Sequence, residues 1–382
     1  MKEKLRVAVL MGGKSPEHSI SLLSGKEVIK NLNKDKYEPL PIVISKKGTW
    51  LLAGEKEISP EIVAQKADVV FIALHGPYGE DGIVQGILEF YKVPFTGSGL
   101  LASAIGMNKL PRSKLTRYSG TSPEEFVSLS HLSVQQAGRY SASRNKPIFR
   151  QIIKNFDIVS PNFFLVQLVK SQTLKMFKID RGLSSFQDFA LPFWSQKSII
   201  FNFFKKHLSL PLVIKPSSQG SSIGVSLVKK ARQFFPAIKK AFRFGPTIMV
   251  EEFIDGTEVT CALLGNDEPL ALPLVEIVPK RKFFDYQAKY QPGLSEEIVP
   301  ARLNKQITQK IQEIAKKVYQ VVGCQGFGRV DMIVKDSQPY VLEINTIPGL
   351  TPNSLFSKAA FAAKISYSKL LDILIKLALE KR

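Results

Sequence analysis

The chain is expected to fold in the α/β class, with a parallel N-terminal α/β part followed by central and C-terminal α+β parts. Three observations carry that expectation. Apolar strand-like runs alternate with helical ones over roughly the first 105 residues. Between residues 211 and 280 the β-type runs follow one another and read as antiparallel. A long amphipathic helix at 306–323 then precedes two adjacent strands. With 382 residues, 44% hydrophobic and 23% charged, the chain has ample core for two or three domains.

Taken in order, "RVAVLMGG" (residues 6–13) reads as a buried strand ending in glycines, and "SISLLSGKEVIKNL" (19–32) as a helix. "DVVFIALHG" (68–76) is a second buried strand, and a helix follows at "GIVQGILEFYK" (82–92). The glycines after the first strand do not complete G-x-G-x-x-G, so no dinucleotide site is read there. Further β-type runs are "LPLVIKP" (210–216), "VSLV" (225–228), "TIMVEEFI" (247–254), "TEVTCALLG" (257–265) and "PLALPLVEIVP" (269–279). Helix 306–323 places Ile307, Ile311, Ile314, Val318 and Val321 on one face, with Gly323 as its C-cap. The strands "GRVDMIV" (328–334) and "YVLEIN" (340–345) follow, and a helix from about Tyr367 closes the chain. The expected domains are residues 1–106, 107–255 and 256–382.

Residues 110–146 interrupt this order. They are Ser- and Arg-rich with weak periodicity, and "NK" both precedes and ends them. Excising them joins "GMNK" to "PIFRQIIKNFDIVSPNFFLVQ", one helix and a following strand. A 37-residue in-frame insertion is inferred, tolerable because loop-closure entropy grows slowly with length. The aromatic-rich stretch 168–208 reads as core packing or an interaction patch rather than a nucleic-acid stacking surface.

The net charge is +20, and residues 110–210 hold 15 Lys+Arg against 5 Asp+Glu, about half of the excess. That region has no aromatic RNP motif and no zinc spacing, so no specific nucleic-acid partner is expected. The first apolar run is too short for a secretory signal, and no stretch is long enough to span a membrane. Cys261 and Cys324 fit neither a disulfide scaffold nor a metal motif, so a cytoplasmic protein is expected.

The chemistry-bearing residues gather in a few stretches. Strand side chains alternate faces, so Arg329 and Asp331 share one face of their strand, and Glu343 and Asn345 share one face of theirs. If residues 335–339 form the hairpin loop, Asp331 lies opposite Glu343 and Arg329 opposite Asn345. Adjacent carboxylates repel, so a positive group belongs between them; oxygen-only ligands favour a hard cation such as Mg²⁺, completed by phosphates. Lys215 ends a strand before the Gly/Ser loop of "KPSSQGSSIGVS" (215–226), whose backbone N–H groups can cradle phosphate; a plain hairpin turn reads equally well. Glu251 and Glu252 in "MVEEFIDGTEVTC" read as ordinary surface acids or as part of a nucleotide edge. "DYQAKY" (285–290) lies in a polar stretch able to close over a site, or simply to connect. Glu17 precedes a helix, and His75 ends a parallel strand, where α/β sheets place ligands.

Taken together, "HGPYGEDG", "KPSSQGSSIGVS", "DYQAKY", "GFGRVDMIV" and "EINTIPGLTPNS" resemble, in order, the motifs of the D-alanine–D-alanine ligase family within the ATP-grasp fold. The resemblance covers almost all of the chain outside about 110–146 and 168–208. It implies that ATP phosphorylates one D-alanine and that the amine of a second attacks the acyl phosphate, yielding a peptidoglycan precursor. It implies Mg²⁺ or Mn²⁺, two ions per site, ATP as co-substrate, and a homodimer. By position, Asp331, Glu343 and Asn345 match the metal ligands, and Arg329 with the N–H of Gly349 matches the stabiliser of the tetrahedral intermediate. Lys109 and Lys215 match the phosphate lysines, and Lys289 the lysine of the closing loop. Glu251 accompanies the adenine hinge matched by Glu252 to Ile254, and Glu258 matches the ribose carboxylate. Glu17, linked to Ser221 and Tyr290, matches the holder of the first ammonium, and Ser354 with Leu355 the second carboxylate site.

The resemblance also implies D-alanine rather than D-lactate as second substrate, because the family's dipeptide-forming members have Tyr at the position of Tyr290. Three departures stand out: Glu252 where Lys is frequent, Ile347 where Ser is common, and Asn353 where His is common. Lys146 also ends an "NK", but Lys109 is preferred because "SAIGMNK" before it is intact. The alternatives are a D-alanine–D-lactate ligase, another ATP-grasp carboxylate–amine ligase, and an inactive ATP-grasp binding protein.

Overall fold

A computed structural model describes residues 4–107, 146–168, 174–180, 183–187, 197–217, 224–279 and 295–380. Almost all of the inferred insertion lies outside the described residues. The strands fall into three sheets, filled in chain order.

The first sheet comprises β1 (Leu5–Gly12), β2 (Tyr37–Ile44), β3 (Trp50–Leu52), β4 (Lys56–Glu57) and β5 (Val69–Ile72), in the order β4-β3-β2-β1-β5. β1 is parallel to both neighbours and its Val7–Leu10 stretch is fully buried, which is why it reads as one apolar run. The sheet is mixed rather than purely parallel, because β3 and β4 add an antiparallel edge. β2 escapes sequence reading because Pro39 and Pro41 interrupt it; β3 pairs only with its Ile42–Ile44 end. The second predicted strand is shorter than expected, since β5 stops at Ile72 and leaves His75 in the loop beyond.

This core is completed by the other end of the chain. Helix Tyr367–Glu380 buries Leu370, Leu371, Leu374 and Ile375 against it. Its Asp372 accepts hydrogen bonds from Tyr37 Oη at 2.5 Å and Lys36 Nζ at 2.8 Å.

The second sheet holds β6 (Phe163–Leu168), β7 (Leu174–Asp180), β8 (Leu183–Gln187), β9 (Leu212–Pro216), β10 (Ser226–Val228) and β11 (Thr247–Glu252), in the order β10-β9-β11-β6-β7-β8. Every pairing in it is antiparallel. Helices Lys197–His207 and Phe234–Phe242 pack on it through Ile200, Phe204, Phe234 and Ile238. Phe164 meets Phe203 and Phe204 edge-on at 5.3 and 5.5 Å, so these members of the aromatic stretch are core. The stretch's other aromatic side chains, from Phe177 to Trp194, lie outside the described residues.

The third sheet holds β12 (Thr257–Leu264), β13 (Leu270–Ala271), β14 (Val275–Pro279), β15 (Ser295–Ile298), β16 (Phe327–Lys335) and β17 (Gln338–Asn345). Its order is β15-β14-β12-β16-β17, with β13 beside β12. Helix Lys305–Val322 covers it, capped by Asn304, which accepts from Ile307 N, and by Gly323 at φ 75°. Its buried face is Ile311, Ala315, Val318, Tyr319 and Val322. That is a slight rotation from the expected stripe, which leaves Ile307, Ile314 and Val321 at the margin.

Candidate functional site

The β16–β17 hairpin sets the centre of the site. Asp331 pairs with Glu343 and Arg329 with Asn345, as the alternation of side chains required. The route differs from the expected five-residue loop. The strands run on to a two-residue turn at Asp336 and Ser337, both left-handed with φ 48° and 62°. A bulge between Asp331 and Met332 then shifts the register by one residue. Without that shift Asp331 would face Leu342, and Glu343 would turn to the opposite face.

The positive group demanded by two neighbouring carboxylates is Arg329. Its Nε and Nη2 donate to the two oxygens of Asp331 at 2.8 and 2.9 Å. Asn345 Nδ2 donates to Asp331 Oδ2 at 2.9 Å, and Thr260 Oγ1, from the facing position of β12, donates to Oδ1 at 2.6 Å. Burial disfavours the charge on Arg329, but Asp331, Glu343 and Glu80 outweigh it and hold the guanidinium protonated above its ordinary range.

Glu80 belongs to the loop after β5, so this loop faces the hairpin. Glu80 Oε1 accepts from Gly76 N at 2.9 Å and lies 3.6 Å from His75 Nδ1. His75 Nε2 meets Ser24 Oγ at 2.9 Å. Glu17 sits against the same loop: a Cβ on Gly76, which has φ +70°, would come within 2.5 Å of Glu17 Oε2. Gly349 and Ser354 are neighbours, since a Cβ on Gly349 would lie 3.0 Å from Ser354 Oγ. Ser354 is the N-cap of helix Leu355–Ala362, and its hydroxyl meets Thr351 Oγ1 at 2.8 Å. Helix N-termini favour carboxylates.

Lys215 and Glu251 meet across β9 and β11, the ammonium donating to Glu251 Oε1. Glu251 is buried, so it is not a surface acid. Its Oε2 faces Arg150 Nη2 at 3.5 Å. Arg150, on helix Lys146–Asn155, is fully buried and was missed by sequence reasoning. The available signal was a cation between Phe149 and Ile153 on the buried face of an amphipathic helix. Thr260 was also missed, its register with Asp331 being invisible before folding. Glu252 is fixed by Asn162, whose backbone N donates to Oε1 at 2.8 Å. Ile254 is buried two residues on, and Glu258 is the second residue of β12. Lys109, Ser221, Lys289 and Tyr290 lie outside the described residues.

Among the described residues no three or more His, Cys, Asp or Glu gather as a self-contained metal site. Two carboxylates and an amide, all oxygen donors, nevertheless fit a hard cation whose shell is completed by phosphate oxygens.

A family profile described as D-ala D-ala ligase C-terminus matches residues 180–376, and one described as D-ala D-ala ligase N-terminus matches residues 6–63 and 53–98. The chain is 36% identical over 380 residues to a D-alanine–D-alanine ligase of Carboxydothermus hydrogenoformans, covering 99% of each. A solved D-alanine–D-alanine ligase of Bacillus anthracis, complexed with ATP, superposes with a TM-score of 0.68 at 28% identity, covering 98% of each chain. The VanG D-Ala:D-Ser ligase of Enterococcus faecalis superposes with a TM-score of 0.70 at 29% identity, covering 98% of this chain and all of that one.

Proposed function

The chain belongs to the D-alanine–D-alanine ligase family, and we propose that it carries out that reaction with the residues gathered around β16 and β17. One D-alanine carboxylate oxygen attacks the γ-phosphorus of ATP, and ADP leaves. The amine of a second D-alanine attacks the acyl carbon, phosphate leaves, and D-alanyl-D-alanine results. The observation that carries the reading is the hairpin face on which Arg329, Asp331, Glu343 and Asn345 converge.

A carboxylate is a poor electrophile until its oxygen becomes a phosphate leaving group. Both steps build negative charge, so preorganised donors lower both barriers. Arg329, held protonated, supports the tetrahedral centre together with the Gly349 N–H. Asp331, Glu343 and Asn345 would hold Mg²⁺ or Mn²⁺, two ions per site, and the metal when bound neutralises charge on the phosphates. Glu17 holds the first ammonium, with Ser221 and Tyr290. Ser354 and Leu355 receive the second carboxylate. Lys215 and Lys109 serve the phosphates, Lys289 closes over them, Glu251 to Ile254 take the adenine, and Glu258 takes the ribose. A cytoplasmic homodimer fits this role; none of the described helices is long and apolar enough to cross a membrane.

The test is phosphate release from ATP and Mg²⁺ with and without D-alanine, with the product identified by mass and D-serine and D-lactate as competitors. D-alanine-dependent release with D-alanyl-D-alanine formed is expected, both from the full chain and after excision of residues 110–146. Folded protein that releases no phosphate in either form would sink the reading. Of Lys109→Met and Lys146→Met, the first is expected to lose more ATP affinity; the reverse result would assign the phosphate to Lys146.

A further inference from the structure

Arg150 is a buried cation with unfinished hydrogen bonding. It is fully buried, and its sole hydrogen bond among the described residues is the 3.5 Å contact from Nη2 to Glu251. Its Nε and Nη1 have no partner among the described residues. Glu251 is shared, because its other oxygen takes Lys215. Two cations, one buried and one nearly so, thus divide one buried carboxylate. Burial pulls Arg150 below its ordinary range, while Glu251, Glu343 and Glu252 oppose it, so the cation stands between the adenine edge and the hairpin.

Burying a cation whose one hydrogen-bonded carboxylate is shared with a second cation costs stability. That cost has a use if an anion completes the cluster. Those free N–H groups are enclosed, so Arg150 is not itself a phosphate ligand. Its effect passes through Glu251. Were Glu251 paired with Lys215 alone, the ammonium would be neutralised and drawn back onto the carboxylate. With Arg150 drawing on the same carboxylate, Lys215 keeps positive potential for polyphosphate.

We infer that Arg150 is a positioning residue for the nucleotide: by sharing Glu251 it keeps Lys215 available to the phosphates of ATP. The inference rests on the reading of Lys215 as a phosphate lysine.

Calorimetric binding of ATP, ADP and adenosine to the full chain tests it without requiring turnover. Arg150→Met should weaken ATP binding about tenfold, ADP less, and adenosine little. In turnover the same variant should raise KM for ATP with kcat nearly unchanged. Arg150→Lys, which keeps the charge, should restore most of the affinity. Stability should hold in Arg150→Met, because Glu251 retains Lys215 and no charge is orphaned.

Three results would overturn the inference. One is equal loss for ATP and adenosine. Another is wild-type ATP affinity in Arg150→Met. The third is unfolding of both Arg150→Met and Arg150→Gln, which would make Arg150 a structural residue. If Lys215→Met binds ATP as the wild type does, the phosphate-lysine reading itself falls, which separates the two failures.

Discussion

The site has two charged clusters built on opposite principles. On the hairpin, Asp331 accepts from three side chains, Arg329, Asn345 and Thr260, at 2.6 to 2.9 Å. Between β9 and β11, Glu251 serves two cations, and Arg150 Nε and Nη1 have no partner among the described residues. In the first cluster three protein donors hold the Asp331 carboxylate in place. In the second, two cations share one buried carboxylate. A fully satisfied network fixes geometry, whereas an under-satisfied one gives up stability for binding.

The contrast can be broken most forcefully at Glu251. Glu251→Gln leaves Arg150 and Lys215 without their shared carboxylate and should destabilise by about 3–5 kcal/mol in denaturant unfolding. Adding Arg150→Met should recover a large part of that loss; no recovery would mean that the cations do not share the carboxylate. At the hairpin, Arg329→Met should lower kcat by about 10²–10³-fold while the fold survives, read by steady-state kinetics beside circular dichroism. Thr260→Val removes a buried donor to Asp331 and should cost about 1–3 kcal/mol, with Thr260→Ser restoring it. Thr260→Val should also weaken Mn²⁺ binding, seen by electron paramagnetic resonance, about 10–100-fold.

The smallest effect lies away from both clusters. Burial pushes the Asp372 carboxyl up, but hydrogen bonds from Lys36 and Tyr37 outweigh it and hold it below its ordinary range. A depressed folded value contributes stability above the unfolded value, about 3.9, that is lost as pH falls through the folded value. Asp372→Asn should therefore flatten the acid limb of the stability–pH curve below about pH 4, followed by urea unfolding.

Much of the hairpin cluster was legible before folding. Alternation along "GRVDMIV" and "YVLEIN" put Arg329 with Asp331 and Glu343 with Asn345, and the cross-strand pairs came out as expected. The turn was misplaced because Asp336–Ser337 is not an Asn-Gly signal, and a bulge leaves no mark in composition. The buried face of helix Lys305–Val322 was nearly right for a related reason: periodicity gives a stripe, but its centre depends on what packs against it. β2 was hidden by its prolines. Arg150 was hidden because a cation in a helix normally marks the solvent face, and only packing shows that this one does not.

By itself the sequence determined the periodicities, the order of the motifs and which residue types share a strand face, since these depend on neighbours a few positions apart. Only the tertiary structure decided that the C-terminal helix completes the N-terminal core, that Thr260 meets Asp331, and that Arg150 and Lys215 divide Glu251. Each of those contacts joins segments tens to hundreds of residues apart. The bulge belongs with them despite its short span, because a one-residue register shift is set by what each face of the sheet must bury.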